Sequence, residues 1–353
     1  MYSIHMLAAD HGDCLWIEYG NTDAPKRILI DAGTPGTYKK SLLPKIKKVV
    51  EEEGGCKFEL FVITHIDADH IGGAFEFLKN TNMNKVSIND IWFNGYYHLS
   101  NNSPDFLGPN QAEKLTPLVQ NGPWKWNEHF GKLAVMVKDN EELPTFNISG
   151  MKFTLLSPTF EELQNLKPKW EKELVKAGLI AGDAYSIEDV LPDGFLGGEI
   201  EDWANTEFRE DNAEANGSSI AFLAEYEEKK VLFSGDAFPS VLLNSLNREP
   251  LTTSKFPLNA FKLPHHASKN NISKELIEAF PAENYLISTN GNQFKHPDKQ
   301  AIARILTSND SAKKLHFNCS SEFNEIWKNI SYTTNWNYQP QFGTCTDGLT
   351  IKL

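Results

Sequence analysis

The sequence predicts an α/β fold with two β-sheets face to face and helices outside, forming a single domain over residues 1–353. Three observations predict it. Strand-like and helix-like segments alternate in both halves of the chain. The longest irregular stretch, an insertion-like loop and helix region at about 95–150, lies between those halves. Leu60-Phe61-Val62-Ile63 is a continuous apolar run, as a strand buried on both faces requires, and a polar loop and a helix follow it.

Taken in order, Ser3 to Ala8 alternates as a strand, Asp10-His11-Gly12-Asp13 is a turn, and Cys14 to Tyr19 is a second strand. Arg27 to Ile30 is a third, ending on Asp31-Ala32-Gly33. Leu43, Ile46, Val49 and Val50 have helical spacing, predicting a helix from about Lys40 to Glu52. After the buried strand at 60–63, a helix is expected from Gly72, with Phe75 and Leu78 inward. Residues 101–147, rich in Asn, Pro and Trp, read as loops and short helices covering one edge. Lys152 to Leu156 is a strand stopped by Ser157-Pro158, and a charged helix follows from about Phe160 to Ala177. Strands then recur at 220–223, 231–233, 261–263, 285–287 and 349–351, with helices at 273–280 and 298–306.

Composition narrows the function. No stretch approaches the roughly 20 apolar residues that cross a bilayer, and the start of the chain lacks the basic and apolar segments of a signal peptide. The expected setting is therefore cytoplasmic, starting at Met1, with no membrane partner. Cys14, Cys56, Cys319 and Cys345 are scattered without a CxxC pair, which predicts reduced thiols. A net charge of −13 argues against a broad non-specific grip on nucleic acid.

The chemistry concentrates in Thr64-His65-Ile66-Asp67-Ala68-Asp69-His70-Ile71-Gly72-Gly73. Imidazole nitrogen and carboxylate oxygen are ligands that zinc and manganese accept. If the loop is extended, positions 65, 67 and 69 converge on one side, and His70 turns to a second ion about 3.5–4 Å away. The bland alternative, a solvated charged loop, fits poorly directly after a buried strand. Two further strand ends carry ligand types: Phe233-Ser234-Gly235-Asp236 and Leu263-Pro264-His265-His266-Ala267-Ser268. Alone, each is an ordinary turn or a surface histidine pair; their weight comes from following the first loop in order.

The run His65-x-Asp67-x-Asp69-His70 resembles the HxHxDH signature of metallo-β-lactamase-fold hydrolases, with Asp67 in the second histidine's place. This HxDxDH variant followed by Ile-Gly-Gly looks like the hydrolase domain of ComEC-type DNA-uptake proteins, and bacterial phosphorylcholine esterases are similar. The likeness continues at Gly12-Asp13, Leu155 to Pro158, Asn216 to Ile220, the two C-terminal strand ends and Phe294-Lys295-His296-Pro297. It implies an αββα sandwich holding two divalent metal ions, zinc or alternatively manganese. It also implies that His65 and Asp67 bind the first ion near Asn216, where many members carry a histidine. Asp69, His70 and His266 would bind the second, and Asp236 would bridge. His266 is favoured over His265 by register.

The resemblance implies an enzyme: a metal-dependent hydrolase, foremost a phosphodiesterase or nuclease acting on DNA or another phosphodiester through a metal-activated water at a dinuclear site. Asp69, His265 and His296 are its catalytic candidates, and Ser268 and Lys269 are weaker phosphate donors. The alternatives are hydrolysis of a small phosphocholine or lactone ester, which the acidic balance favours, and a weakly active regulatory partner, which the replaced histidines favour. His5, His98, His129 and His316 are expected to serve structure. So are Trp92, Trp124, Trp126 and Trp170, which at this spacing are core more often than cleft. His11 has no assigned role.

Overall fold

The computed structural model describes residues 1–99, 115–176 and 199–353. The first sheet has seven strands in the order β15-β1-β2-β3-β4-β5-β6. These are β1 Tyr2–Met6, β2 Leu15–Asn21, β3 Ala24–Ile30, β4 Cys56–Val62, β5 Val86–Trp92, β6 Lys125–Trp126 and β15 Leu349–Lys352. The second sheet has eight, running from β14 in descending order to β7. They are β7 Thr145–Ile148, β8 Met151–Ser157, β9 Ala221–Tyr226, β10 Lys229–Phe233, β11 Leu258–Lys262, β12 Ala282–Ile287, β13 Lys313–Phe317 and β14 Tyr338–Phe342. Both sheets are mixed. Strands β3 to β6 run parallel to one another, as do β10 to β14.

Alternation along each strand builds the layers. Leu15, Ile17 and Tyr19 face the interior shared with Phe153, Phe222 and Phe233 of the second sheet. Between them, Trp16 points to the other side of the sheet, where Ile46, Val49, Phe77 and Leu78 cover it from the helices. The run Leu60 to Ile63 is buried on both faces: Leu60 and Val62 join the inter-sheet core, and Phe61 and Ile63 join the outer one. Trp92 is fully buried in the inter-sheet seam, edge-on to Phe130, Phe146, Phe153 and Phe222. Trp126 and Trp170 are core residues, and Trp124 packs against the same cluster.

Local signals set the helix ends. The helix Leu43–Glu53 starts with Pro44 in its first turn and stops where Gly54, at φ 81°, returns its N–H to Val50 O. A capping box of Thr159 and Glu162 starts Phe160–Leu166. A second helix, Trp170–Lys176, continues that charged segment; Ala177 lies outside the described residues.

Several expectations need correction. In the 95–150 region the expected short helices are joined by two unexpected strands, β6 and β7, which are the edge strands of the two sheets; residues 100–114 lie outside the described part. The strand at 349–351 leaves the second half and pairs antiparallel with β1. Cys319 and Cys345 are disulfide-bonded, with Cα atoms 4.7 Å apart, so only Cys14 and Cys56 remain as thiols. Among the described residues no helix is long and apolar enough to cross a membrane.

Candidate metal centre

The C-terminal ends of β3, β4, β10, β11 and β12 meet at one rim of the sandwich and deliver Asp31, the His65–His70 loop, Asp236, His266 and Ser288. Parallel strands leave their following loops on the same rim, where side chains of distant residues meet. The His65–His70 loop is extended only as far as Asp67, at ψ 145°; Ala68–Ile71 is one helical turn. Asp69 and His70 therefore leave from a turn of helix rather than from the extended chain expected, and the helix expected near Gly72 follows separately as Ala74–Lys79.

Asp236 lies at the middle. Its Oδ1 is 3.4 Å from His70 Nε2, and its Oδ2 is 3.8 Å from His65 Nε2 and 3.9 Å from His266 Nε2. Asp67 Oδ2 stands 3.7 Å from His65 Nε2, and Asp69 Oδ2 stands 3.2 Å from His266 Nε2. Apart from half-buried Asp67, all these side chains are buried. Among the described residues, two groups bring ligand atoms within 4.8 Å of one another: His65, His70 and Asp236, and Asp13, His70 and His266.

Hydrogen bonds behind the cluster fix which nitrogen faces inward. Asp31 Oδ2 accepts from His70 Nδ1 and from Thr64 Oγ1, both at 2.8 Å. Thr64 Oγ1, having donated its proton there, accepts from His65 Nδ1 at 3.0 Å. His266 Nδ1 donates to Ser288 O at 2.7 Å. His70 and His266 thus keep their protons on Nδ1 and present the Nε2 lone pair, and His65 is held at Nδ1 by Thr64 and Ser219 with its Nε2 inward, the arrangement in which outer partners orient metal-binding histidines.

The inward face then tests whether a cation fits. His70 Nε2 and His266 Nε2 face each other at 3.3 Å, and His65 Nε2 is buried with no hydrogen-bond partner. Two opposed lone pairs are favourable only around a shared proton or a cation, and an orphaned buried nitrogen costs about 1–3 kcal/mol. The residues present therefore suit a divalent ion.

Electrostatics agree. Burial raises the Asp236 carboxyl, but the His70, His266 and His265 rings outweigh it and hold it well below the usual range. Burial lowers the histidines, yet Asp236 and Asp211 lift His265 to about 10, while Asp236, Asp13 and Asp69 lift His266 to about 9. A field that strengthens proton binding so much also attracts metal cations.

The histidine pair divides. His266 points inward. His265 is half-buried and turns its Nδ1 to Asn271 Oδ1 at 3.0 Å and Asp211 Oδ2 at 3.3 Å. Both residues, with Ala267, adopt left-handed φ values of 47°, 53° and 65°. Such strain costs on the order of 1 kcal/mol per residue and persists where surroundings enforce it. Here His265 N–H donates to Asp236 Oδ1 at 3.2 Å, and Ser268 N–H to His265 O at 2.8 Å.

Asn216 gives its amide nitrogen to Asp211 at 2.7 Å, leaving Oδ1 buried without a partner. His296 is buried beside His265, their ring centres 5.3 Å apart, with Nδ1 3.4 Å from Asp298. Ser268 Oγ accepts from Asn270 N–H, and Lys269 N–H binds Asp298. The other histidines have structural contacts: His5 with Glu18, His98 with Gly95, His129 with Asp90 and His316 with Asn284.

Asp13, Asp31, Asp211 and Asn271 escaped the sequence reading as site residues. Asp13 forms a buried ion pair with Lys262 at 2.6 Å and lies 3.6 Å from His266 Nδ1. Its neighbour Gly12 touches the metal loop so closely that a Cβ there would sit 1.8 Å from Asp69 O. The available signals were the carboxylates ending β3 and following Gly12.

No curated protein matches the chain. Among solved structures it is similar to CmlA, a diiron beta-hydroxylase from Streptomyces venezuelae, at 11% identity and a TM-score of 0.43, covering 99% of this chain and 54% of that one. The chain thus spans about half of that protein's length. Zn(2+)-bound PqqB from Methylobacterium extorquens is similar at 10% identity and a TM-score of 0.44, covering 100% of each chain. The long form RNase Z from yeast is similar at 14% identity and a TM-score of 0.41, covering 95% of this chain and 44% of that one. Residues 9–144, which hold the Gly12 turn and the His65–His70 loop, match the family model for the Metallo-beta-lactamase superfamily.

Proposed function

We propose that the protein is a metal-dependent hydrolase of phosphodiesters. The observation that carries this reading is the contact of one buried carboxylate, Asp236, with the inward nitrogens of His65, His70 and His266. His65, Asp67 and Asp236 would hold one ion, with Asn216 Oδ1 near; Asp69, His70, His266 and Asp236 would hold the other. Two divalent ions there, zinc or manganese, would supply Lewis acidity and a water acidified toward neutral pH. Asp69, whose Oδ2 is 3.2 Å from His266 Nε2, would help to hold the ion on that side. His265, its Nδ1 committed to Asn271 and Asp211, has Nε2 left to hold a proton for the leaving oxygen, and His296 stands beside it. Hydrolysis of a small ester is the second reading, favoured by the net charge of −13, since small substrates need no basic track.

The test is Asp236→Ala, followed by metal content, thermal melting and turnover on bis-p-nitrophenyl phosphate, single- and double-stranded DNA, RNA and a phosphocholine ester. Loss of metal and of turnover with the fold retained is expected. Cleavage of the small diester but not of nucleic acid would favour the second reading. Full activity in the variant would remove the two-metal reading.

A further inference from the structure

Beside the metal-ligand cluster stands a set of rings that the ligand roles do not use. His11 comes from the β1–β2 turn, His265 from the end of β11, and Phe294 and His296 from the loop after β12. The His11 and Phe294 ring centres are 5.9 Å apart and nearly perpendicular. Phe294 and His296 are stacked with their planes 28° apart and their centres at 6.1 Å, and His265 meets both, at 6.5 Å and 5.3 Å.

Backbone contacts fix this set in place. The turn bearing His11 is wedged against the metal loop by Asp13 N–H to Asp69 O at 3.1 Å. It is tied to the β12 loop by Ser288 Oγ to Gly12 O at 2.9 Å and Asn290 N–H to Asp10 O at 2.8 Å. Lys295 N–H closes a turn onto Gly291 O, and the Lys295 ammonium lies over the Phe323 ring. The four rings thus form one contiguous set beside the cluster, reaching it through His265, whose ring centre is 6.0 Å from that of His266. His11, Phe294 and His265 are each half-buried, leaving ring surface for a ligand.

We propose that His11, Phe294, His296 and His265 form a wall that selects phospho-ligands bearing a flat group, a nucleobase or an aryl ring, whose phosphoryl end meets the metal ligands. This rests on the phosphodiester reading above. Phe294 offers a face or edge to the flat group, and the imidazoles add ring edges and N–H donors. Aromatic contacts of this kind are worth about two- to tenfold in affinity beyond simple area burial.

Calorimetry on the zinc- or manganese-loaded protein, with phenylphosphonate and methylphosphonate as probes, tests the wall without turnover. The wild type should bind phenylphosphonate at least about tenfold more tightly. That ratio should collapse to within about twofold in Phe294→Leu and fall part of the way in His11→Ala, with melting curves confirming folded variants. Equal affinity of the wild type for both probes, no binding of either, or an unchanged ratio in both variants would overturn the proposal. Turnover of bis-p-nitrophenyl phosphate is measured alongside. Ring preference without turnover upholds the wall and removes the phosphodiesterase reading; turnover without ring preference does the reverse.

Discussion

Asp31 touches no inward nitrogen, yet the hydrogen bonds make it the residue that sets two of them. Its Oδ2 takes the His70 Nδ1 proton directly and orients His65 through the Thr64 hydroxyl, while Oδ1 accepts Thr64 N–H at 2.8 Å. Asp31→Asn keeps the side-chain shape, and asparagine tolerates the φ of 56° at this position. The oxygen facing Thr64 N–H can be retained, but an amide NH2 then meets His70 Nδ1. Two donors cannot share that contact, so the His70 proton moves to Nε2 and aims at His266 and Asp236. Loss of an orienting partner behind a metal-binding histidine costs about 10–100-fold in metal affinity, or about 1.4–2.7 kcal/mol. Titration calorimetry with zinc and manganese on wild type and variant measures it, and thermal melting in chelator shows the fold intact. Affinity within about twofold of wild type would refute the inferred tautomers and the role built on them.

Three other outcomes follow from the geometry. His266→Ala should lower bound metal, since its Nε2 faces Asp69 and His70, whereas His265→Ala should retain metal and lower turnover; elemental analysis of both variants decides, and metal loss only from the His265 variant would invert the register. Burial holds His98 at about 4 instead of 6.5, with its Nδ1 accepting from Gly95 N–H and its Nε2 donating to Lys132 O. Because its folded value is depressed, the unfolded chain takes up the proton first, and stability is lost as pH falls from 6.5 toward 4. Urea unfolding at pH 7 and 4.5 should show wild type losing about 2.5 kcal/mol more than His98→Gln, which can keep both hydrogen bonds without titrating; equal losses would contradict this. Unreduced, denatured protein should titrate only the Cys14 and Cys56 thiols, and detection of all four would contradict the Cys319–Cys345 bond.

What was legible in the sequence is what short-range pattern encodes. The buried run Leu60 to Ile63, the ligand-type loop after it and the strand ends at Asp236 and His266 are contiguous signals, and the structure gathers them at one rim. The inward aim of His266 is what the resemblance implies through its Pro-x-His pattern, and the structure has His266 Nε2 facing His70 Nε2. Other features depend on contacts between residues far apart. Asp31 meets His70 across 39 positions, and Lys262 meets Asp13 across the two sheets. Nothing near Asp31 or Asp13 reports those partners. The strand β5 interleaves Ser87, Asn89 and Asp90 with its apolar residues, and Asp90 is buried by pairing with His129, so polarity there concealed a central strand. Short β6 pairs with β5 only through tertiary contact and reads as loop, whereas β7 is the first arm of a tight hairpin with β8 that turns through Ser149-Gly150.

The pairing of β1 with β15 also bears on how the chain is made. Ile4 lies opposite Ile351, so the partner of the first strand is synthesised almost the whole chain later. Meanwhile β1 keeps one hydrogen-bonding edge open, with buried-type Tyr2, Ile4 and Met6 along it, and an open edge is a template for other chains. A nascent or truncated chain lacking residues 349–352 should be the form most prone to self-association. Histidines 65 and 70 also emerge long before Asp236 and His266, so a fragment holding only the first loop lacks the groups that close the cluster. Completion of the ligand-type cluster and completion of the sandwich thereby both wait for the C-terminal half of the chain.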